Sequence, residues 1–383
     1  MSLGTKHNTN RTAAAIYILF VIALTWKLPL SHYIRFNMGL VFMWFVILSL
    51  ATFIALSINV WVGSFLAYSI FSANVPNPTP FSGAALLMVI LGSVLYLILY
   101  NIENKRAAYT LLCLFALANV FAVILQQSGL DFQHVPNLRL MASDKSIRIG
   151  LMENHNSLSA ALAFSLPAFF ESRWKWLIPF VFLGLILAKT MGGILAVCPT
   201  VFYYANKYLS IYVSKGLRIT AAIFIVIFGV VVYIRYVDPP NYKSRWAAWE
   251  MYGNLSTDQA HNLWIGKGLG HWKAVFGRKD IRIAIARKAG SQNRGGLYYA
   301  QAHNEPIQVN FEMGWIGTAL IIGFFINMLR RVKHITDPRP VLAVLAVAIN
   351  SLVYFPMHIP FLAMVVILWF TTMENGFREN NKC

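Results

Sequence analysis

Apolar runs of roughly 20 residues, about what a helix needs to cross ~30 Å of hydrocarbon, follow one another from residue 12 to residue 375. Within a bilayer core every backbone N–H and C=O must be satisfied inside the protein, and a run of such segments does this as helices. The expected fold is therefore all-α, a polytopic transmembrane helical bundle of about 12 spans. The spans fall at roughly 12–30, 39–57, 59–74, 81–101, 107–126, 155–171, 175–190, 192–206, 218–236, 306–329, 338–355 and 357–375. The pair at 175–206 is the least regular, because Gly192 and Gly193 interrupt one continuous apolar stretch. Charged residues are 12% of the chain, about half the share of a soluble domain, which is too few to cover a globular surface in water. The 383 residues, enough for two or three soluble domains, read instead as a single integral membrane domain, 1–383. It carries one large outer loop at 237–305, between spans 9 and 10.

Lys and Arg give the direction. With a cytoplasmic amino terminus, the short inner connections hold fifteen basic residues, among them Lys105, Arg106, Arg330 and Arg331, while the short outer ones hold only Lys27 and Arg35. The alternation is consistent through all twelve spans and leaves both termini cytoplasmic. Two outer segments depart from it. The stretch 131–154 holds Arg139, Lys145 and Arg148, and the large loop holds ten basic residues against five acidic ones, +5 in all. Long outer loops cross largely regardless of charge. Either anionic head groups attract these residues, at about 1 kcal/mol each near the surface, or an anionic substrate is handled on the outer face.

No cleavage site follows the first apolar run, so no signal peptide is expected. Cys113 and Cys198 lie inside apolar runs and Cys383 is the last residue, so no disulfide framework suggests itself. No metal-ligand spacing, no cofactor motif and no nucleic-acid module is apparent, and the partner that composition demands is the lipid bilayer.

The large loop is rich in aromatic residues, including Trp246, Trp249, Trp264, Trp272, Tyr298 and Tyr299. They fit an interfacial belt or platforms for sugar rings. Residues 281–288, Ile-Arg-Ile-Ala-Ile-Ala-Arg-Lys, fit a basic amphipathic helix lying in the membrane interface. Gly-Lys-Gly-Leu-Gly at 266–270 lacks phosphate-loop spacing, so its glycines are read as turn formers.

His303 stands just ahead of a span, with Pro306 suited to the first helical turn. A histidine where water meets membrane can exchange a proton near neutral pH, although a lone one is more often structural. Arg245, in Ser-Arg-Trp-Ala-Ala-Trp, opens the large loop, and Arg148 precedes the span near Asn156. Guanidinium groups bind phosphate oxygens two at a time. Two arginines and a histidine at one outer mouth suit a lipid-linked diphosphate, the arginines neutralising the leaving group and the histidine taking the acceptor proton.

Three patches resemble the O-antigen ligase and O-antigen polymerase superfamily of bacterial membrane glycosyltransferases. The first is the Arg-x-Gly stretch leading to Asn at a span start (148–160). The second is Arg-x-x-x-Trp followed by Gly-x-Gly-x-Gly (244–249 and 261–272). The third is His-Asn followed by Glu-x-Gly-x-x-Gly (302–317). The likeness carries motifs over about residues 148–329; ahead of that it is architectural only. It implies a C-type glycosyltransferase-like bundle in the bacterial cytoplasmic (inner) membrane, with the large loop periplasmic and no metal. It would transfer a glycan from an undecaprenyl diphosphate-linked donor to an acceptor. His303 would be the catalytic residue activating the acceptor, and Arg245 and Arg148 would hold the diphosphate. The acceptor would be lipid A core for a ligase, the leading expectation, or a second carrier-linked glycan for a polymerase; a protein acceptor is a third possibility.

The chain departs from the family at 189–193, Lys-Thr-Met-Gly-Gly, where Met191 stands in place of an expected arginine. Lys189 either supplies the missing diphosphate contact from half a turn away, or the contact is lost and activity with it, leaving a non-catalytic assembly protein. The rival reading from another class is a transporter or flippase for a lipid-linked or anionic solute, for which Glu312 and Lys189 are the ionisable candidates in or at the edge of a span.

Overall fold

The computed structural model describes residues 60–74, 79, 81–100, 105–128, 149–152, 154–210, 214, 216, 220, 239–256, 260–293, 295–332 and 335–380. The expected spans at 12–30 and 39–57 lie outside these residues, as does all of 218–236 except residue 220, together with Arg148 and Cys383. Among the described residues the chain is all-helical, with no strand. The first group of helices is α1 (Val60–Asn74), α2 (Ser82–Tyr100), α3 (Lys105–Gln127), α4 (His155–Phe169), α5 (Ile178–Ala188) and α6 (Met191–Leu209). Within the segment expected as one outer loop lie α7 (Pro239–Ser256), α8 (Ala260–Ile265), α9 (His271–Phe276) and α10 (Lys279–Lys288). The last three are α11 (Glu305–Arg331), α12 (Pro338–Ser351) and α13 (Pro360–Asn380). Two stretches, Arg106–Gln127 and Glu305–Arg330, are long and apolar enough to cross a membrane. Five other apolar stretches, such as Val62–Ala73 and Pro360–Glu374, are shorter.

The main core is built around α4. Every residue from Ser157 to Phe169 is buried, so the helix has no solvent face and packs on all sides, against α3, α5, α6, α12 and α13. Its small residues let neighbours approach closely. A Cβ at Gly193 of α6 would stand 2.4 Å from the Ser159 Cβ, and one at Gly184 of α5 would stand 2.8 Å from Leu162. The break in the 175–206 stretch is therefore not at the glycines, which α6 runs straight through. It falls at Lys189, left-handed with φ 51, and at the extended Thr190. Thr190 hydrogen-bonds Ser159 near the start of α4, and Lys207 pairs with Glu171 just past its end. So α5 and α6 are two antiparallel helices, with Lys189 at the end where α4 begins.

Helix α11 is broken at Gly314 (φ 62, ψ −165). A break strips carbonyls of the N–H groups four residues on, and here other segments supply replacements. Phe311 O accepts from Lys267 N (2.8 Å), Glu312 O from Gly268 N (2.9 Å) and Met313 O from the Tyr68 hydroxyl (3.0 Å). The Glu312 carboxylate, buried, accepts the N–H groups of Gly270 (3.0 Å) and Trp272 (3.1 Å). Main chain crosses main chain so closely that a Cβ at Gly314 would lie 2.2 Å from Trp264 O, and one at Gly266 2.4 Å from Glu312 O. The glycines at 266–270 thus serve the joint, in line with the turn-forming reading.

Helices α7, α9 and α10 gather with the first part of α11 around a second core of Ala247, Ala248, Trp272, Phe276, Ile285, Ala302 and Phe311. Trp272 and Phe276 stack at 3.9 Å, and Phe311 meets both edge-on. The helix expected over 281–288 is present as part of α10, but its apolar side is spent on this core: Ile285 and Ala286 are buried in the protein.

Candidate functional site around His303

Asn304 caps α11, its side chain accepting from Ile307 N at 3.0 Å, and its amide nitrogen donates to Leu352 O at 2.8 Å. This pins the start of α11, with Pro306 in the first turn, to the end of α12. His303 directly precedes the cap and adopts φ 54, a left-handed conformation uncommon outside glycine. Both backbone groups of the preceding residue are gripped: Ala302 N donates to Gln308 Oε1 (2.9 Å), and Ala302 O accepts from Trp249 Nε1 (2.7 Å). The imidazole sits edge-on to Phe355 (4.8 Å) and Tyr299 (5.8 Å). Its Nδ1 is buried without a hydrogen-bond partner. Burial first, and then the positive charge of Arg245, hold the His303 pKa down at about 3. The ring is therefore neutral at physiological pH, with an unpaired nitrogen; at this pKa it is a weak proton acceptor until an anion offsets the Arg245 charge.

Arg245 reaches this position because α7 is fastened to the same segment. Its neighbour Ser244 accepts from the Tyr299 hydroxyl, Trp249 holds Ala302, and Ala247 and Ala248 enter the second core. Among the described residues no carboxylate forms an ion pair with Arg245.

Arg148 lies outside the described residues, but the glycine that follows it in the motif does not. Gly150, at φ 60, donates to Gln126 Oε1 (2.9 Å) and its carbonyl accepts from Gln126 Nε2 (2.9 Å). A Cβ there would meet Leu158 at 2.8 Å, which explains the Arg-x-Gly spacing as a tight turn onto α3 and α4. The turn leads to Asn154, which caps α4 by accepting from Ser157 N and also accepts from the Tyr354 hydroxyl (3.0 Å). Tyr354 in turn bonds Ser157 Oγ (2.7 Å), and its ring lies 6.2 Å from that of His303.

Lys189 is joined to the same end of the bundle through Thr190, Ser159 and the first turns of α4. Its side chain is exposed, and no hydrogen bond, ion pair or ring contact links it to His303 or Arg245. Because Lys189 is a left-handed cap rather than a member of α6, it does not stand half a helical turn from Met191. His303 and Arg245 are thus brought together, and Lys189 shares their end of the molecule without touching them.

A network beneath His303 escaped the sequence reading. His358 Nδ1 lies 2.9 Å from Glu305 Oε2, Glu305 Oε1 accepts from Met357 N (2.7 Å), and His358 Nε2 lies 2.9 Å from Gln308 Nε2. The expected span at 357–375 enclosed His358; helix α13 begins only at Pro360, and His358 occupies the turn before it. The bracketing Pro356 and Pro360 were the available signal. Burial disfavours the His358 imidazolium, but Glu305 and, behind it, Glu312 outweigh this and raise its pKa to about 9. While its Oε1 holds Ala302, the Gln308 amide nitrogen also faces Gln301 Oε1 and, at 3.4 Å, Glu312 Oε1.

Among the described residues no group of three or more His, Cys, Asp or Glu side chains is placed to hold a metal ion. No family model matches the chain, and no curated protein matches it.

Proposed function

We propose that the chain is a polytopic glycosyltransferase of the bacterial cytoplasmic membrane, of the O-antigen ligase and polymerase kind, and that His303 is its general base. The observation that carries this reading is a neutral imidazole with an unpaired Nδ1 beside an arginine that has no carboxylate partner among the described residues. In the reaction, His303 takes the proton of an acceptor hydroxyl as its oxygen attacks the anomeric carbon of the donor sugar. The bond from that carbon to the diphosphate oxygen breaks, and undecaprenyl diphosphate leaves with its charge met by Arg245, aided by Arg148 and Lys189. The acceptor is lipid A core, making the protein a ligase; a carrier-linked acceptor would make it a polymerase. The site faces the periplasm, both termini are cytoplasmic, and the bundle has about twelve spans. Exposed Phe121, Phe180, Ile186 and Ile322 on the outsides of α3, α5 and α11 support a lipid surround. The transporter reading loses its carboxylate, since Glu312 is occupied by two backbone N–H groups.

The test is transfer by the purified protein in lipid nanodiscs, with an undecaprenyl diphosphate-linked glycan and lipid A core, in the presence of EDTA. Transfer is expected to persist with the chelator, to fall by about 10²–10⁴ in His303→Ala and to fall by about 10²–10³ in Arg245→Ala. Arg245→Lys should recover little, because an ammonium lacks the two-pronged geometry. Undiminished transfer by His303→Ala removes the assignment.

A further inference from the structure

A cleft of about 340 Å³ opens between α7 and the end of α10, lined by Lys243, Trp246, Ala247, Glu250, Lys288 and Ala289. That volume is at the lower end for small-molecule sites, room for a ligand of monosaccharide size. Its wall is the Trp246 indole, 57% exposed despite its size. Trp246 meets Trp249 edge-on at 6.2 Å, and the Trp249 N–H holds the carbonyl next to His303. The aromatic pair therefore runs from the His303 segment round α7 into the cleft.

The charges in the cleft do not cancel. Lys288 pairs with Glu250, whereas Lys243 has no carboxylate partner among the described residues. Three other cations of this region are engaged: Arg278 pairs with Asp280, Lys273 lies over Phe81 and Arg282 over Tyr298. A flat aromatic wall beside one unmatched ammonium recognises a ring with an apolar face and an anionic substituent.

We propose that this cleft is a subsite for one anionic sugar residue, a uronate or similar carboxylated pyranose, of the glycan that the protein handles. The pyranose face lies on Trp246 and its carboxylate on Lys243. The biological role rests on the transferase reading above; the binding itself does not. A lipid head group is the poorer occupant. Anchoring in a membrane interface needs an apolar helix face turned outward, and in α10 Ile285 and Ala286 are buried, Ile285 in the second core.

The experiment is saturation-transfer NMR on the full chain in zwitterionic nanodiscs, with a methyl glucuronide as probe and methyl glucoside as its neutral control. The glucuronide is expected to bind in the millimolar range and the glucoside much more weakly. Trp246→Ala and Lys243→Gln should each weaken glucuronide binding about tenfold, a loss of about 1.4 kcal/mol, while Trp246→Phe keeps part of it. Trp246 and Lys243 are both exposed, and the circular dichroism and melting of each variant verify its fold. Equal binding of both probes, binding indifferent to the two substitutions, or displacement of the glucuronide by anionic lipid each overturns the subsite. Glucuronide binding without any glycan transfer leaves the subsite standing and overturns the transferase reading alone.

Discussion

A left-handed backbone costs a residue with a side chain about 1–3 kcal/mol, and at His303 the conformation is maintained because Gln308 and Trp249 grip the two sides of Ala302. Gln308→Leu strands the buried Ala302 N–H, which should lower stability by about 1–3 kcal/mol and slow transfer through misplacement of the imidazole. Thermal melting and single-turnover rates read the two effects separately, and unchanged rates would make Gln308 merely structural. The sign of the pH dependence follows from burial and Arg245, which hold the folded-state pKa of His303 at about 3, below its unfolded value near 6.5. From pH 8 to pH 5 His303 stays neutral in the folded protein, so its own titration puts no inflection near 6.5 in the rate profile. As pH falls from about 6.5 toward 3, the unfolded chain takes up a proton that the folded chain refuses, and stability is lost. Arg245→Gln removes the lesser of the two causes and should raise the His303 pKa only in part, as ¹³C-labelled imidazole shifts would register.

Among the elements, the break in α11 makes a prediction whose sign separates two kinds of glycine. Replacing a glycine inside an ordinary helix by alanine stabilises by up to about 1 kcal/mol, and Gly83 of α2, with open space where a Cβ would go, should behave so. Gly314→Ala should do the reverse, by more than about 4 kcal/mol, because its Cβ would lie 2.2 Å from Trp264 O in a conformation that alanine resists. Melting curves of the two variants decide it; a stabilised Gly314→Ala would mean that the joint is absent. The contrast also shows what sequence can reveal. The small residues of α4 and the long apolar run of α11 announce helices through composition alone. Nothing in Glu-Met-Gly-Trp announces that α11 stops and restarts there, because the donors that satisfy its freed carbonyls come from residues 267 and 268, far along the chain. For the same reason Glu312 looks like a mid-span charge in sequence and is a backbone clamp in the fold. His303 and Arg245 were legible as residue types at suitable positions, whereas Gln308, Tyr354 and His358 contribute through contacts that no local spacing encodes.

For the molecule as a whole, the proposed orientation puts residues 278–294 outside the cytoplasmic membrane. Ser291→Cys, in the loop after α10, should react with an impermeant maleimide added to intact spheroplasts, and a cysteine beside Lys207 should react only after permeabilisation. Labelling in the opposite sense would overturn the orientation and the periplasmic site with it. The apolar runs were enough to foresee that the described residues are all-helical. They did not foresee that the segment after α6 carries a core of its own, because Trp272, Phe276 and Phe311 meet only when α9 folds against α11.

The joint at Gly266 and Gly314 is a contact of peptide units clamped by the Glu312 carboxylate and the Tyr68 hydroxyl, so it specifies two glycines and these two side chains. On the proposed reading a module attached in this way is portable: the helices carrying Trp246 and Arg245 would move as a cassette provided both glycines, Glu312 and Tyr68 are kept. Under the proposed function, such chimeras would redirect sugar preference while the rest of the bundle stays as it is.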